Sequence, residues 1–386
     1  MKILHCVYGL VPGNYKGGIP KIVFELAQAQ AAQGHRITIY TTNYNGNNPW
    51  KLYENPQVVD FGLVRIYYFK GYRRNVLFSP SMQKSLMLYA AEFDILHTHN
   101  IFHPLNQYMR RAADKYELPL FYHTHGCFDP SLWRRKNWKS LKKWFYLNLF
   151  ELPGLARSQG IWVHTRQEYD QLHRWGPDLP LRIIPNGINY IKTKAPTSSH
   201  PKNHVITTLS RIHPKKRIHL LLEAMPFVVD HFPDIQLQIL GDENQFPHYT
   251  KKLKAAISQY QLEKNVTFLG HQSEADKYQK LAASTLFCQF SYSEGMSISV
   301  LEAMSLGVTC LVSKGCHMSA AVQAQALAEC PVDQPLEVGH QIVHLLQDHQ
   351  SRMSIGQRAR LHINMEHDWS KVAKEILETY AFHLHV

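Results

Sequence analysis

Two carboxylates eight positions apart carry the strongest chemical signal in the chain. The segment Ser291 to Gly307 reads SYSEGMSISVLEAMSLG. Glu294 sits in a Ser-Glu-Gly turn after an apolar strand, and Glu302 lies inside a helix that begins near Ser297. A helix N-terminus offers free N–H groups and a positive dipole end, so Gly295, Met296 and Ser297 lead into a position suited to a phosphate. A carboxylate further along can accept hydrogen bonds from sugar hydroxyls. The pattern also fits a turn glutamate followed by a solvated helix glutamate. A second signal is SRIHPKKR, Ser210 to Arg217, set between a strand and a helix. Arg211, a planar fork, and Lys216, a point charge, can converge there on a diphosphate. A short solvated basic turn would read the same way.

Histidine is abundant, with 24 residues. Five stand at two strand ends: His97, His99 and His103 in HTHNIFH, and His123 and His125 in HTHG. Metals use His-x-His spacing. Neither segment pairs its histidines with an Asp or Glu ligand, although Asp94 and Asp129 are near in sequence, and the expectation is no metal site. His97, His103 and His123 read as polar strand-end residues with satisfied hydrogen bonds.

A third feature is Ser131 to Phe150, which holds Arg134, Arg135, Lys136, Lys139, Lys142 and Lys143 and no acid. Trp133, Trp138, Trp144, Phe145, Tyr146 and Phe150 interleave with them. Trp138, Leu141, Phe145 and Leu149 share one helical face. Such a helix suits an anionic membrane surface. A helix packed on the domain with a solvated basic edge is the other reading. Nucleic acid is disfavoured, because no helix-turn-helix, RRM or zinc pattern accompanies the charge.

These residues need a frame that brings them to one place. Strands are expected at Lys2–Tyr8, Arg36–Tyr40, Val64–Phe69, Asp94–His97, Leu120–His123, Ile161–His164 and Leu181–Ile184, with a helix from Ile19 to Gln33. A second series has strands at His204–Leu209, Ile235–Leu240, Val266–Leu269, Leu286–Phe290 and Val308–Val312, and the chain is mostly helical from about Leu336. Strands alternating with helices imply α/β architecture, a parallel sheet with helices on both faces. Asn189 to Asn203, polar and rich in Pro and Ser, reads as a linker. Two similar halves with one linker suggest a cleft, and parallel sheets bind ligands at the carboxyl ends of their strands.

Composition agrees with this frame. At roughly 150 residues per domain, 386 residues make two to three domains. Hydrophobic residues are 45% and charged residues 19%, which excludes global disorder and a coiled coil. No stretch reaches about 18 apolar residues, so no membrane span is expected. The start, MKILHCVYGLVPGNYKGG, does not read as a signal peptide. Six scattered cysteines without a CxxC pair read as reduced core residues of a cytosolic protein. The net charge of +12 favours an anionic partner.

Taken together, R-x4-K after the first strand of a second α/β domain and a following E-x7-E resemble the nucleotide-sugar glycosyltransferases of family four, which have the GT-B fold. Gly17-Gly18, IIPNGIN (183–189), QILGDENQF, FLG (268–270) and GCFDPSLWRRKNWKSLKKWFY match in order, the last resembling members that build bacterial surface polysaccharides. The resemblance implies two Rossmann-like domains facing across a cleft: residues 1–190 for the acceptor, 203–365 for the nucleotide sugar, and a C-terminal helix, 366–386, returning to the first domain. It implies retaining transfer without metal or other cofactor, from a nucleotide-sugar donor to a lipid-linked or saccharide acceptor. Arg211 and Lys216 would stabilise the departing diphosphate, Glu294 would orient the sugar and Glu302 would hold the ribose. Gly17 and Gly18 would let backbone N–H groups approach the donor, and His125 would bond a sugar hydroxyl. The implied location is cytoplasmic, peripheral on the inner membrane face, with no nucleic acid as partner. Four positions depart from the family: Phe290 where Pro is frequent, Gly307-Val308-Thr309 for Gly-x-Pro, Asn189 for Asp, and no Pro-Glu after Cys316. The rivals are an inactive nucleotide-sugar-binding scaffold and another enzyme of this shape, such as a sugar-nucleotide epimerase.

Overall fold

The computed structural model describes residues 1–10, 18–45, 48–73, 77–128, 138–189, 204–331 and 334–384. Gly17, Asp129, Arg134, Arg135, Lys136 and all but the first residue of the expected linker lie outside them. The chain forms two compact units, residues 1–189 with 368–386, and residues 190–367.

The first unit alternates strands β1 (Lys2–Cys6), β2 (Arg36–Thr42), β3 (Gln57–Phe61), β4 (Val64–Phe69), β5 (Ile95–His99), β6 (Leu120–His123), β7 (Gly160–Val163) and β8 (Leu181–Ile183) with helices that include α1 (Gly18–Ala32), α2 (Pro80–Tyr89) and α3 (Pro104–Tyr116). Their order across the sheet is β8-β7-β6-β5-β1-β2-β4-β3, all parallel except β3 against β4. The antiparallel β3 was not expected. It is an exposed edge strand whose Asp60 pairs with Arg65 of its neighbour at 2.7 Å. Central strands are buried on both faces, which is why they read as apolar runs. On one face Leu4, Leu96, Leu120 and Ile161 pack with Met109 of α3 and Leu86 of α2.

The chain's last helix belongs to this unit. This helix, α14, runs from Trp369 to Leu384 and packs on α1. Trp369 is buried and its indole N–H donates to Glu25 at 2.9 Å. Gly187, within IIPNGIN, lies so close to that indole that a Cβ would overlap it. The glycine is therefore explained by packing, and the neighbouring Ile188 bridges to Asp368.

The second unit is a six-stranded parallel sheet. Its strands are β9 (Val205–Leu209), β10 (Gln236–Leu240), β11 (Val266–Gly270), β12 (Leu286–Gln289), β13 (Cys310–Ser313) and β14 (Ala328–Cys330), in the order β11-β10-β9-β12-β13-β14. The edge strand β14 was also unforeseen, being three residues long and partly polar. Ile206, Leu237, Ile239 and Leu286 from the strands meet Leu221, Val228, Leu253 and Ile342 from the helices in one core. Phe290, one of the four departures, is a core residue of this cluster. Thr309 uses its hydroxyl to donate to the Arg352 carbonyl at 2.8 Å, a bond proline could not make. All six cysteines are free, and five are buried.

Gly187→Ala is expected to destabilise the first unit by about 1–3 kcal/mol, the scale of overpacking a filled core. Urea unfolding followed by the Trp signal checks it. Stability equal to wild type would show that α14 yields without cost.

Candidate active site

In the second unit the two charged motifs meet at the carboxyl ends of β9 and β12. The turn after β9 is bent into a short 3-10 helix, Pro214–Lys216, before helix α7 (Ile218–His231). Its start packs on the β10 turn, where a Cβ on Gly241 would overlap the Ser210 carbonyl. Only glycine fits such an approach. The turn after β12 is tied to it by a backbone bond, Tyr292 N–H to the Lys215 carbonyl at 2.9 Å. The Arg217 guanidinium covers the Tyr292 ring at 4.5 Å. Gly315 leaves room for the Ser291 and Tyr292 carbonyls, and the Ser313 hydroxyl donates to the first of them at 2.7 Å.

This scaffold brings Lys216 and Glu294 into a direct, part-buried ion pair. Burial alone would raise the Glu294 carboxyl, but the Lys216 charge and hydrogen bonds from Lys216 and Ser291 outweigh it and hold it below the ordinary carboxylate range. Arg211 stands exposed on the same turn. His213 is lowered first by burial and then by Arg211, Lys215 and Lys216, which shows that these cations share one region. Helix α10 (Ile298–Ser305) begins beside them. Ser297 is its N-cap residue, yet its side chain does not cap the first turn. It accepts instead from Gln289 Nε2 at 2.8 Å, and Gln289 Oε1 accepts from the Ser299 hydroxyl at 2.5 Å. The arrangement suits an anion at the helix end, flanked by cations. Gly295 and Met296 form the half-exposed approach.

Glu302 is on α10 but is not solvated. It is buried and pairs with Lys277 at 2.8 Å and with the Tyr278 hydroxyl at 3.2 Å. Lys277 also reaches Glu274 at 2.7 Å. Lys277, Tyr278 and Gln289 were not singled out from sequence. The first two come from helix α9 (Glu274–Ala282), and nothing in their spacing tied them to Glu302. Gly18 opens α1 in the first unit, exposed, and Gly17 lies outside the described residues.

His125 belongs to a larger assembly than its sequence neighbourhood suggested. In register, His5 faces His97 across β1 and β5, and His99 faces His123 across β5 and β6. With the period-2 alternation of strands, both HTH segments put their histidines on one face. His125 and His164 follow just beyond the strand ends. His5 Nδ1 lies 2.9 Å from His99 Nε2, His99 Nδ1 3.2 Å from His125 Nε2, and His125 Nδ1 2.9 Å from His164 Nε2. His164 Nδ1 is 3.2 Å from His123 Nε2, and Tyr380 of α14 reaches His97 Nδ1 at 2.6 Å. His103 stands outside, stacked on Tyr8. The expectation of satisfied strand-end histidines therefore fails in part: His97 Nε2 and His123 Nδ1 are buried with no hydrogen-bond partner among the described residues. The sequence did carry a clue to His5 and His164, since each also ends an apolar strand, in KILHC and IWVH.

The turn holding His125 is left-handed at His125 and Gly126. Glu168 fixes it, accepting from Thr124 Oγ1 at 2.6 Å, Gly126 N–H at 2.5 Å and His164 N–H at 2.9 Å. Thr165 caps the helix that carries Glu168, Arg166–His173, by accepting from Glu168 N–H at 3.2 Å.

The histidines are neutral. Burial, joined by repulsion from neighbouring histidines, holds His97, His99, His123 and His125 well below 6.5. Burial lowers His5 to about 4 although its bond to Gln30 opposes this, and it lowers His164 against the pull of Glu168.

The fold and the charged turns define a class, the two-unit Rossmann-like glycosyltransferases of GT-B fold. The chain belongs to glycosyltransferase family four: a family model described as "Glycosyltransferase Family 4" matches residues 16–190, and one described as "Glycosyl transferases group 1" matches residues 191–362. It is 25% identical over 381 residues to a phosphatidyl-myo-inositol mannosyltransferase of Mycolicibacterium smegmatis, covering 94% of this chain and 90% of that one. It is 25% identical over 267 residues to the UDP-Gal:alpha-D-GlcNAc-diphosphoundecaprenol alpha-1,3-galactosyltransferase of Escherichia coli, covering 65% and 66%. Among solved structures, sucrose-phosphate synthase from Thermosynechococcus elongatus superposes with a TM-score of 0.77 at 17% identity, over 100% of this chain and 99% of that one. Anabaena HepE in complex with UDP and glucose gives 0.75 at 19% identity, over 99% of each. The chain is a glycosyltransferase.

The unfolded chain takes up protons near pH 6.5, while the folded histidines stay neutral. Stability should therefore fall as pH drops below about 6.5, each histidine contributing up to roughly 1.4 kcal/mol per pH unit until its own lowered value is passed, which for His5 is about 4. Urea midpoints of EDTA-treated protein between pH 7.5 and 5 check this, and His5→Gln should flatten the slope. A pH-independent midpoint would show that the cluster is not buried as neutral imidazole.

Proposed function

We propose that the protein moves a sugar, with retention of anomeric configuration and without a divalent cation, from a nucleotide-sugar donor to a lipid-linked or saccharide acceptor in surface polysaccharide biosynthesis. The observation that carries this reading is the meeting of the Arg211–Lys216 turn with the Glu294 turn at the N-terminus of α10. Negative charge develops on the diphosphate as its bond to the sugar C1 breaks. Arg211, Lys216 and the helix amides between Gly295 and Ser299 are positioned before the reaction to receive it, usually the largest catalytic contribution. The electron pair of the broken bond goes to the diphosphate, the acceptor oxygen bonds C1 on the same face, and its proton leaves with the diphosphate. Glu294 orients the sugar, Glu302 with its Lys277 partner receives the ribose hydroxyls, and His125 bonds a sugar hydroxyl by releasing one of its two ring contacts, to His99 or to His164. Gly18 at the start of α1, with Gly17 before it in sequence, would allow close approach of the donor or acceptor. Positive side chains take the place a metal ion would hold, so no cofactor is required. In this reading, residues 1–190 serve the acceptor and residues 203–365 the donor. The relatives named above act on phosphatidylinositol and on a diphosphoundecaprenol, which supports an acceptor carried by lipid.

Arg211→Ala and Lys216→Ala should each lower turnover by about 10²–10³, the cost of one preorganised donor. The assay runs in EDTA, and NMR reads the anomeric configuration of the product. Less than a few-fold loss would remove these residues from the mechanism, and full metal-reversible inhibition would refute metal-independent transfer.

A lipid-borne acceptor requires the enzyme to meet a membrane, and no described helix is long and apolar enough to cross one. Helix α4 (Trp138–Tyr146) and the π-turn after it support peripheral contact at the inner face of the membrane, with the protein otherwise cytoplasmic. Leu141, Phe145 and Leu149, four residues apart, are exposed, as is Trp144. Lys143 departs from the expected solvated edge: its ammonium lies over the Phe102 ring at 4.4 Å, and burial lowers its pKa. Each basic side chain near an anionic surface contributes about 1 kcal/mol, screened by salt. Reversing Arg135, Lys139 and Lys142 to Glu should abolish sedimentation with phosphatidylglycerol vesicles at moderate salt while sparing turnover on a soluble acceptor. Undiminished sedimentation would make the segment a structural helix.

A further inference from the structure

The histidine cluster of the first unit is far larger than one bond to a sugar needs. Gln30 Oε1 is an acceptor 2.7 Å from His5 Nε2, which would have each imidazole from His5 through His99, His125 and His164 to His123 donate toward Gln30. At the other end the Ile184 carbonyl, 3.2 Å from His164 Nδ1, also needs a donor, and the same direction leaves a lone pair there. Neutral imidazoles cannot satisfy both ends at once, and among the described residues His123 Nδ1 is buried with no hydrogen-bond partner.

One ring nitrogen from each of His99, His123 and His125 falls within 4.8 Å of the other two. Three imidazoles on a tetrahedral ion, with bonds of about 2.0–2.1 Å, hold their nitrogens about 3.4 Å apart. His99 Nδ1 and His125 Nε2, at 3.2 Å, already have that spacing. His123 needs to close by no more than about 1.4 Å, giving up its bond to His164 as it swings in. We propose that His99, His123 and His125 bind a divalent transition-metal ion of the Zn2+ class, with a fourth position for a non-protein ligand.

The chemistry selects the ion class. Nitrogen donors without a carboxylate suit Zn2+, Ni2+ or Cu2+ and do not suit Mg2+ or Ca2+, which take oxygen. Burial keeps the imidazoles neutral, so protons do not compete for the lone pairs at neutral pH. The far nitrogens of two ligands are already held. His99 Nε2 faces His5, and His125 Nδ1 faces His164. Binding at His125 Nε2 sends its proton to Nδ1 and on through His164, whose Nδ1 has the Ile184 carbonyl at 3.2 Å to receive it. His125 is the half-buried member and gives an entry. A second group, His5, His97 and His99, is fully buried, and both nitrogens of His5 are engaged. An ion on His125 Nε2 would leave that ring no nitrogen for the sugar hydroxyl proposed above, so the site competes with that contact and does not rest on that reading.

The test is metal content in the full chain. Protein stripped with EDTA is loaded with ZnCl2, freed of excess by gel filtration and assayed for zinc, and CoCl2 is used as an optical probe. One zinc per chain is expected, with the visible absorption of tetrahedral Co2+ and a rise of about 5 °C or more in melting midpoint at a hundredfold excess over Kd. His123→Gln and His125→Gln should each lose the ion and the shift while melting cooperatively in EDTA. His103→Gln, outside the cluster, should keep both. If folded wild type retains no zinc, or His125→Gln retains as much as wild type, the proposal fails. An ion kept by His125→Gln and lost by His5→Gln would sit in the deeper group and overturn the assignment. Should His123→Gln not fold, the His125 variant and the cobalt spectrum decide the matter.

Discussion

A parallel sheet sends the carboxyl ends of all its strands to one edge, and the functional geometry of each unit follows from that constraint. Residues far apart in sequence become neighbours because each lies at the end of a strand or directly follows one. In the second unit this joins Ser210–Arg217 to Ser291–Ser297 through the adjacent strands β9 and β12. In the first it joins His5, His99, His123 and His164 from four adjacent strands. Hairpins could not do this, since they return the chain to the opposite edge. The helices between strands thus give the sheet its topology as well as its cover.

The two edges handle charge in opposite ways. The second unit gathers unlike charges: Lys216 with Glu294, and Lys277 with Glu302. Buried ion pairs of this kind are weak contributors to stability, because desolvation offsets much of the attraction. Their value is position, since each charge fixes the other's side chain. The first unit gathers like groups, which avoid repulsion only by staying neutral. Neutral imidazoles still need partners, and the chain from Gln30 to His123 supplies them one after another. Glu168 acts from outside this chain. It secures the His125 turn through backbone and hydroxyl donors, so the carboxylate is satisfied without a proton from the cluster.

What could be read from sequence was whatever depends on local pattern. The β-branched and apolar runs located the central strands to within two residues, and Val64–Phe69 and Leu120–His123 match at both ends. The edge strands Gln57–Phe61 and Ala328–Cys330 were missed because an edge buries little and leaves no continuous apolar run. Arg211, Lys216, Glu294 and Glu302 were identifiable because their spacing is carried within single segments. The partners of Glu302 and Ser297 were not. Lys277 comes from a helix 25 residues before Glu302, and Gln289 reads as one more polar residue at a strand end. His5 was taken for part of an apolar strand. Its partnership with His99 depends on which strands lie side by side, and a local pattern does not contain strand order.

The proposed reaction gives the Lys216–Glu294 pair two tasks that oppose each other. A diphosphate would draw the Lys216 ammonium, yet Glu294 already holds it. Were the lysine alone, its long side chain would have to be ordered as the donor binds, at a cost of up to about 2 kcal/mol in rotamer freedom. Held by Glu294 and backed by the turn bonded to Lys215, it is ordered beforehand. In that reading the carboxylate's negative charge would reduce the field on the diphosphate, and Arg211 and Lys215, together with the α10 amides, would restore it. Glu294 stays ionised because Lys216 holds its proton affinity low, so it remains an acceptor for sugar hydroxyls over the whole neutral range. One ion pair can therefore fix the cation that meets the leaving group and the anion that meets the sugar. A lysine and a glutamate placed separately would each have to be ordered by other contacts.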